Sequence, residues 1–548
     1  MSLTVSCVNA ADINESLDAS DNLLAQDNQK ILTEKEIGDF SQLSSEINSS
    51  IETKQLYLTK DYAFDSNSDG EYNEGIPIDI DDLIIDGKGH TINANQKARI
   101  FNIKSDNVIL KNINIINGKI QSNGAAIYWS GANGSLINCQ IKNSATPNIG
   151  GGIYFENNAK VIDSTFENNS AYFGGGLNFE NDGTVINSSL KDNYATLLGG
   201  GIYFVEKGFV FNSTFTNNEG GDGGGIYFFK TGLVENTKFI KNIAIGYGAG
   251  ITADEKLVVR NSQFIDNVGM FAASIFLKDG GNVENSIFIN NSANRESGCI
   301  YFLSNGNVEN CTFTDNSASW AGAILFDKEG TLKKSIFTSN AAAGDGGAVY
   351  FNANGIVEDS IFNRNSANLG GGIFAKYGEL MINDTQFNNN LAKSNGNSLY
   401  ITSQQIILEN LSFVGKSTYE NEVYINNPTA HINKISFKNE EKITKTKIKT
   451  AITAKSQTFK AKAKTKKITI TLKANGKALN KKKVTLKINK KTYTAKTSKG
   501  KAVFKIKLTK KGKFTALIKF AGDNSYKASQ KKISVKIKWK WGENLTIF

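Results

Sequence analysis

Histidine is almost missing from this chain: His90 and His431 are the only two among 548 residues. Four cysteines, Cys7, Cys139, Cys299 and Cys311, stand at no CxxC or metal-type spacing, so neither a zinc site nor a disulfide framework organises the chain. With histidine so scarce, a nucleophile–histidine–acid triad has little to be built from. Proline occurs 3 times, and no apolar run reaches the length of a membrane-spanning helix. Arginine is confined to Arg99, Arg260, Arg295 and Arg364, spread far apart. A polysaccharide lyase wants a basic side chain beside clustered acids, and that pairing is not visible along the chain.

What is plentiful is glycine, 51 residues, together with Asn, Ser, Phe and Ile. Charge is divided rather than mixed. Residues 440–548 hold 33 of the 63 basic residues and 4 of the 52 acidic ones, a net of +29 that leaves −18 for 1–439. Two regions of opposite sign are two physical objects, and the basic one favours anionic polymers.

A block reading Gly-Gly-Gly-Ile-Tyr-Phe, with variations, recurs every 24–26 residues from Ile127 through Ile153, Leu177 and Ile202 to Leu399. A second block, Ser-x-Phe-x-x-Asn, runs in step and ends each time on asparagine: Asn169, Asn193, Asn218, Asn242, Asn267, Asn291, Asn316, Asn340, Asn365 and Asn390. Units this short and glycine-rich, alternating with period two, do not hold a pair of helices. In Ile153-Tyr154-Phe155 the first and third side chains share a face and the tyrosine points away. A third apolar position, such as Val161 or Val185, falls five residues before the phenylalanine. Both face inward only if the chain bends between them. Asp163, Asn187, Asn212 and their equivalents stand at that bend, residue types that tolerate left-handed φ/ψ. Lys334 is the exception.

The reading is therefore all-β: a right-handed, three-faced parallel β-helix of about fifteen coils, followed by a β-sandwich. Stacked in register, phenylalanine lies over phenylalanine, and each Asn amide bonds to the Asn of the next coil. At ~4.8 Å per coil the stack is about 70 Å long. Phe40, Leu43 and Ile47 make a helical stripe suited to capping its first coil. From about Ala451, short Lys/Thr-apolar runs separated by turns such as Asn475-Gly476 and Lys511-Gly512 read as an immunoglobulin-like sandwich. The expected division is 1–11 as the remnant of a secretory signal, 12–60 as flexible leader and capping helix, 61–440 as β-helix, and 441–548 as lysine-rich sandwich and short tail.

The run Leu83-Ile-Ile-Asp-Gly-Lys-Gly-His-Thr-Ile92 with Val108-Ile-Leu-Lys-Asn-Ile113 resembles the opening coils of right-handed β-helix surface proteins. The GGGIYF and SxFxxN repeats resemble those of polymorphic outer-membrane-type adhesins. Lys499-Gly-Lys-Ala-Val-Phe504 and Phe520-Ala-Gly-Asp-Asn-Ser-Tyr526 resemble bacterial-type Ig-like repeats. Together they resemble the adhesin-like surface proteins of methanogenic archaea. The resemblance implies an exported, extracellular or cell-surface protein without enzymatic activity. Its implied partners are glycans or other cell surfaces, with an anionic cell-wall polymer for the basic module. No specific nucleic acid and no transmembrane segment are expected.

Reactive groups are thinly spread on this frame. The column two residues after the interior phenylalanine carries Asp192, Asp266 and Asp315, but never on adjacent rungs, so paired carboxylates for glycoside hydrolysis do not emerge. The β-helix fold also hosts polysaccharide lyases and hydrolases, which keeps that alternative open beside a purely structural wall or spacer role. The outward column is the candidate ligand face: Tyr128, Tyr154, Tyr203, Tyr227, Tyr301, Tyr350 and Tyr400. Rings on successive rungs suit the apolar faces of sugars, although tyrosine also simply covers a sheet well. Asp65, Asn67 and Asp69 have the spacing of a calcium loop, but Ile76 stands where its twelfth-position glutamate belongs. No other cofactor is expected.

Overall fold

In the computed structural model, successive repeats pair through parallel strands of three or four residues in unbroken register: Ile202 with Ile226, Tyr203 with Tyr227, Phe204 with Phe228. The structure describes residues 36–415, 422–425, 431–433, 436–438 and 448–538, except 462, 464, 524 and 525. The signal-like segment 1–11, the leader up to residue 35, Cys7 and Trp539 lie outside the described residues. The chain divides into two compact units between Lys438 and Asn439.

The first unit is the right-handed parallel β-helix. Its first sheet has 15 strands, from Ile76–Ile78 to Val423–Ile425, and holds the Ile-Tyr-Phe motif. The second has 16, from Gln55–Tyr57 to His431–Asn433, and the third 17, from Ile37–Gly38 to Ser436–Lys438. Winding thus starts ahead of residue 61, because Ile37–Gly38 already pairs with Asp61–Tyr62. Three faces were expected, and a fourth is present. Ten short strands, from Ser170–Phe173 to Leu391–Asn395, form a narrow sheet between the third and the first. They carry a buried small residue in register, as at Ala171, Ala195, Ala244 and Ala293. Side chains that small give no apolar signal, and segments two residues long hardly show a period. The chain re-enters the first sheet through a glycine in the left-handed region, such as Gly174 at φ +61°.

The bends lie where the alternation required them. Asp163, Asn187 and Asn212 have φ of 52°, 52° and 53°, and Lys334 joins them at 51°. The column two after the interior phenylalanine is left-handed too, from Asn168 at 55° to Asn389 at 52°. Its scattered acids are explained as turn residues, since Asp and Asn bear that conformation better than most.

One continuous apolar core runs through the unit. Phe239, Phe264, Phe288, Phe313 and Phe337 stack with centroids 4.7–4.8 Å apart. The asparagine ladder closes the corner between the third and fourth sheets. Asn193 Nδ2 donates to Asn218 Oδ1 at 2.9 Å and to the Phe166 carbonyl at 3.0 Å. A second ladder accompanies it. The serine of each Ser-x-Phe motif accepts from the backbone N–H of the preceding coil, as Ser188 Oγ does from Ser164 N at 3.1 Å. Cys139 and Cys311 occupy serine positions in this ladder. Cys311 Sγ accepts from Ser286 N at 3.4 Å, and Cys139 Sγ donates to the Ile137 carbonyl at 3.3 Å. Burial pushes the Cys139 thiol up to about 12. It therefore stays protonated at neutral and mildly basic pH. Expected result: Cys139, Cys299 and Cys311, all buried, resist a thiol-disulfide reagent at pH ~8 in the native chain and react on denaturation. Peptide mapping of native labelling at Cys139 or Cys311 would show that the ladder opens, and at Cys299 that the coil opens where it enters the first sheet.

Helix α1, Phe40–Ser49, lies over the N-terminal coils with Phe40, Leu43 and Ile47 buried, as their spacing predicts. Asp39 caps it, accepting from Gln42 N at 2.8 Å. The second unit is a two-sheet β-sandwich. Its sheets have four and five strands, with Ile468, Ile470, Leu486, Phe504, Ile518 and Val535 between them. In strand Lys501–Ile506 every second residue is buried and the lysines face solvent.

Candidate functional site

The first sheet lays its Ile and Phe side chains into the core and turns the residue between them outward. An open strip of tyrosine rings was expected there. Instead the column is a groove floor. Tyr154, Tyr227 and Tyr350 are only 7–8 % exposed, while Tyr128, Tyr203, Tyr301 and Tyr400 are half-buried. The cover comes from the end of the fourth sheet and the segment joining it to the first, which form a wall beside the column. Phe173 stacks on Tyr203 at 5.5 Å, Tyr247 packs on Phe276 at 4.2 Å, and Trp320 meets Tyr350 edge-on at 6.4 Å. Ala321, Leu325, Tyr350 and Phe374 form a small apolar cluster of their own, outside the main core. Alternation shows which way a side chain points, but not what a neighbouring turn lays over it.

The freely accessible rings sit at the rims. Trp320 and Tyr172 on the wall are 44 % and 40 % exposed, and Phe229 on the opposite rim is 43 % exposed. Trp320 shares its place in the repeat with Asp222 and Glu296, and Phe229 with Asp254 and Asp327, but residue type changes from coil to coil, so the repeat pattern does not single them out.

Carboxylates one coil further on engage the tyrosine hydroxyls. Tyr301 donates to Asp327 Oδ2 at 2.7 Å and Tyr154 to Glu180 Oε2 at 3.4 Å. Tyr128 donates to Glu156, and Tyr227 to Asp254. Burial, helped by these carboxylates, raises the phenols, Tyr128 to about 12. On the wall side stand further acids. Burial raises Asp222, whose Oδ1 accepts from Tyr247 N at 2.7 Å, with Asp254 adding to the shift. Burial and then the charge of Asp327 raise Glu296. The groove thus brings together Asp222, Tyr227 and Asp254, and again Glu296, Tyr301 and Asp327, three coils along. These carboxylates lie in different columns 31–32 residues apart, so a scan of any one column misses them. Carboxylates beside aromatic rings suit the hydroxyl edges and apolar faces of sugars.

The calcium-like loop is put to another use. Asp69 is fully buried and accepts from Phe40 N, Ser41 N, Ser41 Oγ and Asp65 N at 2.8–3.0 Å, while Asp65 Oδ1 accepts from Asn67 N. Its carboxylate secures the start of α1, where a helix leaves N–H groups unpaired. Four donors on one carboxylate leave little to offer a cation. Among the described residues, no group of three or more His, Cys, Asp or Glu converges on one point, and no helix is long and apolar enough to cross a membrane.

Residues 75–239 match the family described as right handed beta helix region, and residues 334–352 match the Chlamydia polymorphic membrane protein repeat. No curated protein matches the chain. The two matches fall on the coil stack and support a β-helix protein of the surface type.

Proposed function

We propose that this chain is an exported, cell-surface adhesin-like protein, not an enzyme, whose β-helix binds glycans or partner cell surfaces along the walled groove of the first sheet. The observation that carries the reading is the groove itself: a run of aromatic rings with carboxylates beside it, on a stack with polymorphic-membrane-type repeats. The sandwich, similar to bacterial-type Ig-like repeats, supplies a cationic surface for an anionic wall polymer. That contact weakens as salt rises, since exposed charges are screened. No specific nucleic acid and no cofactor enter this reading.

The rim residue Trp320 gives the cleanest test, because removing buried Tyr227 would also disturb the stack. Trp320→Ala is expected to weaken glycan-array binding about ten-fold at unchanged melting temperature, in line with loss of one aromatic anchor. Unchanged binding would detach the groove from recognition. A blank array for the unaltered chain would favour a spacer role.

One observation favours a second reading, a polysaccharide-active enzyme. Burial, and then the charge of Asp327, raises the Glu296 carboxyl, the direction in which a glycosidase shifts its general acid. Release of reducing ends from neutral or acidic polysaccharides, abolished in Glu296→Gln, would establish it.

A further inference from the structure

The sandwich unit carries its charge unevenly. Its five-stranded sheet runs in the order Gln457–Lys460, Ser529–Lys538, Gly512–Phe520, Lys483–Ile488 and Lys491–Lys496. Alternate residues of these strands pack inward, and those between them make the outer face. On that face the register sets lysine directly opposite lysine three times: Lys460 with Lys538, Lys513 with Lys536, and Lys483 with Lys496. All are exposed. Among the described residues, the outer face of the four-stranded sheet has one such pair, Lys467 with Lys505, and an exposed Val503 beside it.

Like charges directly opposite each other destabilise a sheet, and nothing on this face offsets them. The one acid among the described residues of the unit, Asp523, lies in the loop after Phe520 and binds Lys482 at 2.7 Å. The pairs also form a pattern. Lys460 and Lys538 stand at one corner of the sheet, with Lys536 and Lys513 next to them, and Lys483 and Lys496 at the opposite corner. Lys532, Lys487 and Lys519 bridge the interval. With strands ~4.8 Å apart and alternate residues ~6.7 Å apart, this diagonal is about 40 Å long. Hydroxyls of Thr485, Thr515 and Ser534 lie among the lysines.

A diagonal of cations suits a linear anion better than a single small one. No arginine occurs after Arg364, so the planar fork that grips a carboxylate is missing, whereas an ammonium binds phosphate as a point charge. No aromatic ring stands on this face to stack a nucleobase. We propose that the outer face of the five-stranded sheet is the docking surface for a linear phosphodiester polymer of the wall, lying along the lysine diagonal. The proposal rests on the reading of the sandwich as the contact to an anionic wall polymer, and it fixes the face and the anion.

The test uses the full chain and isothermal calorimetry at low ionic strength with poly(glycerol phosphate). Polygalacturonate and oligo(dT), matched to it in number of charges, are run alongside. Lys513→Gln with Lys536→Gln is expected to weaken poly(glycerol phosphate) binding about ten-fold. Lys467→Gln with Lys505→Gln removes the same charge from the other face and changes binding less than about two-fold. Both pairs are exposed and like-charged, so their removal leaves the fold intact. Polygalacturonate is expected to bind about five-fold more weakly than poly(glycerol phosphate). Equal weakening by the two double variants overturns the docking face and leaves the cationic reading standing. Polygalacturonate binding as tightly as poly(glycerol phosphate), or oligo(dT) binding more tightly, overturns the phosphodiester wall polymer as occupant. No binding to any of the three overturns the docking face and the wall-contact reading together.

Discussion

Replacing Asn291 with leucine is expected to lower the unfolding free energy of the β-helix by about 4 kcal/mol, several buried groups losing partners at about 1–3 kcal/mol each. Asn291 Nδ2 donates to the Phe264 carbonyl and to Asn316 Oδ1, both at 3.0 Å. Its Oδ1 accepts from Asn267 N and Nδ2 at 3.0 and 2.9 Å. Leucine has the same branched skeleton with bulkier methyl ends, so the loss is mainly one of polar pairing, with some overpacking added. The corner is fully buried, where an unpaired polar group has no solvent to turn to. The neighbouring Asn290 makes the contrast. It is left-handed at φ 53°, and its amide bonds to Asp266 Oδ1 at 2.7 Å at the surface. Asn290→Gly is expected to change stability by less than about 1 kcal/mol, since glycine takes that conformation freely. Urea titration followed by circular dichroism reads both. In a stack whose units contact only their neighbours, a break in the middle also divides the cooperative unit, so Asn291→Leu should broaden or split the transition. A sharp transition shifted by less than about 1 kcal/mol would mean the ladder is not what holds the corner.

That adjacent asparagines carry such different weight explains what was legible beforehand. Columns set by a strict interior requirement were readable: Phe288 over Phe264, Val185 over Val161, and the left-handed bend at Asn187 that parity demanded. The capping stripe of α1 was readable for the same reason, as apolar residues at i, i+3 and i+7 fall on one face of a helix and scatter over both faces of a strand. The fourth sheet was not, because Ala171 and Ala244 are small enough to fit a turn as well as a strand. The column of Asn168 and Asp192 offered acids but no adjacent pair, and its left-handed φ gives the reason: backbone conformation had chosen the residues.

The site was less legible than the fold. The outward tyrosines were found, but their partners come from other columns and from the irregular wall. Asp222 and Asp254 flank Tyr227 from opposite sides of the groove. Trp320 reaches Tyr350 from a segment whose length varies between repeats. The Asp65–Asp69 spacing meets a need the sequence did not show: the buried Asp69 carboxylate accepts four hydrogen bonds at the start of α1.

Truncating Phe288 to alanine tests the stack from its apolar side and is expected to cost ~3–5 kcal/mol. Its ring is fully buried, 4.8 Å from Phe264 and 4.7 Å from Phe313, with interplanar angles of 5° and 7°. Removing it leaves a void that neighbours fixed by sheet pairing on both sides cannot fill by moving. Ring stacking and simple volume are separable, because the repeat supplies its own control. Leu190 occupies this column between Phe166 and Phe215 and is buried as completely. Phe288→Leu is therefore expected to cost about 1–1.5 kcal/mol, a shape change that largely preserves volume. Urea unfolding of the two variants decides between the causes. If leucine costs as much as alanine, contact between parallel rings dominates, and the column at Leu190 is a weak point of the native stack. If alanine costs less than about 1 kcal/mol, the column does not fill the core, and the inward assignment of the third sheet fails with it.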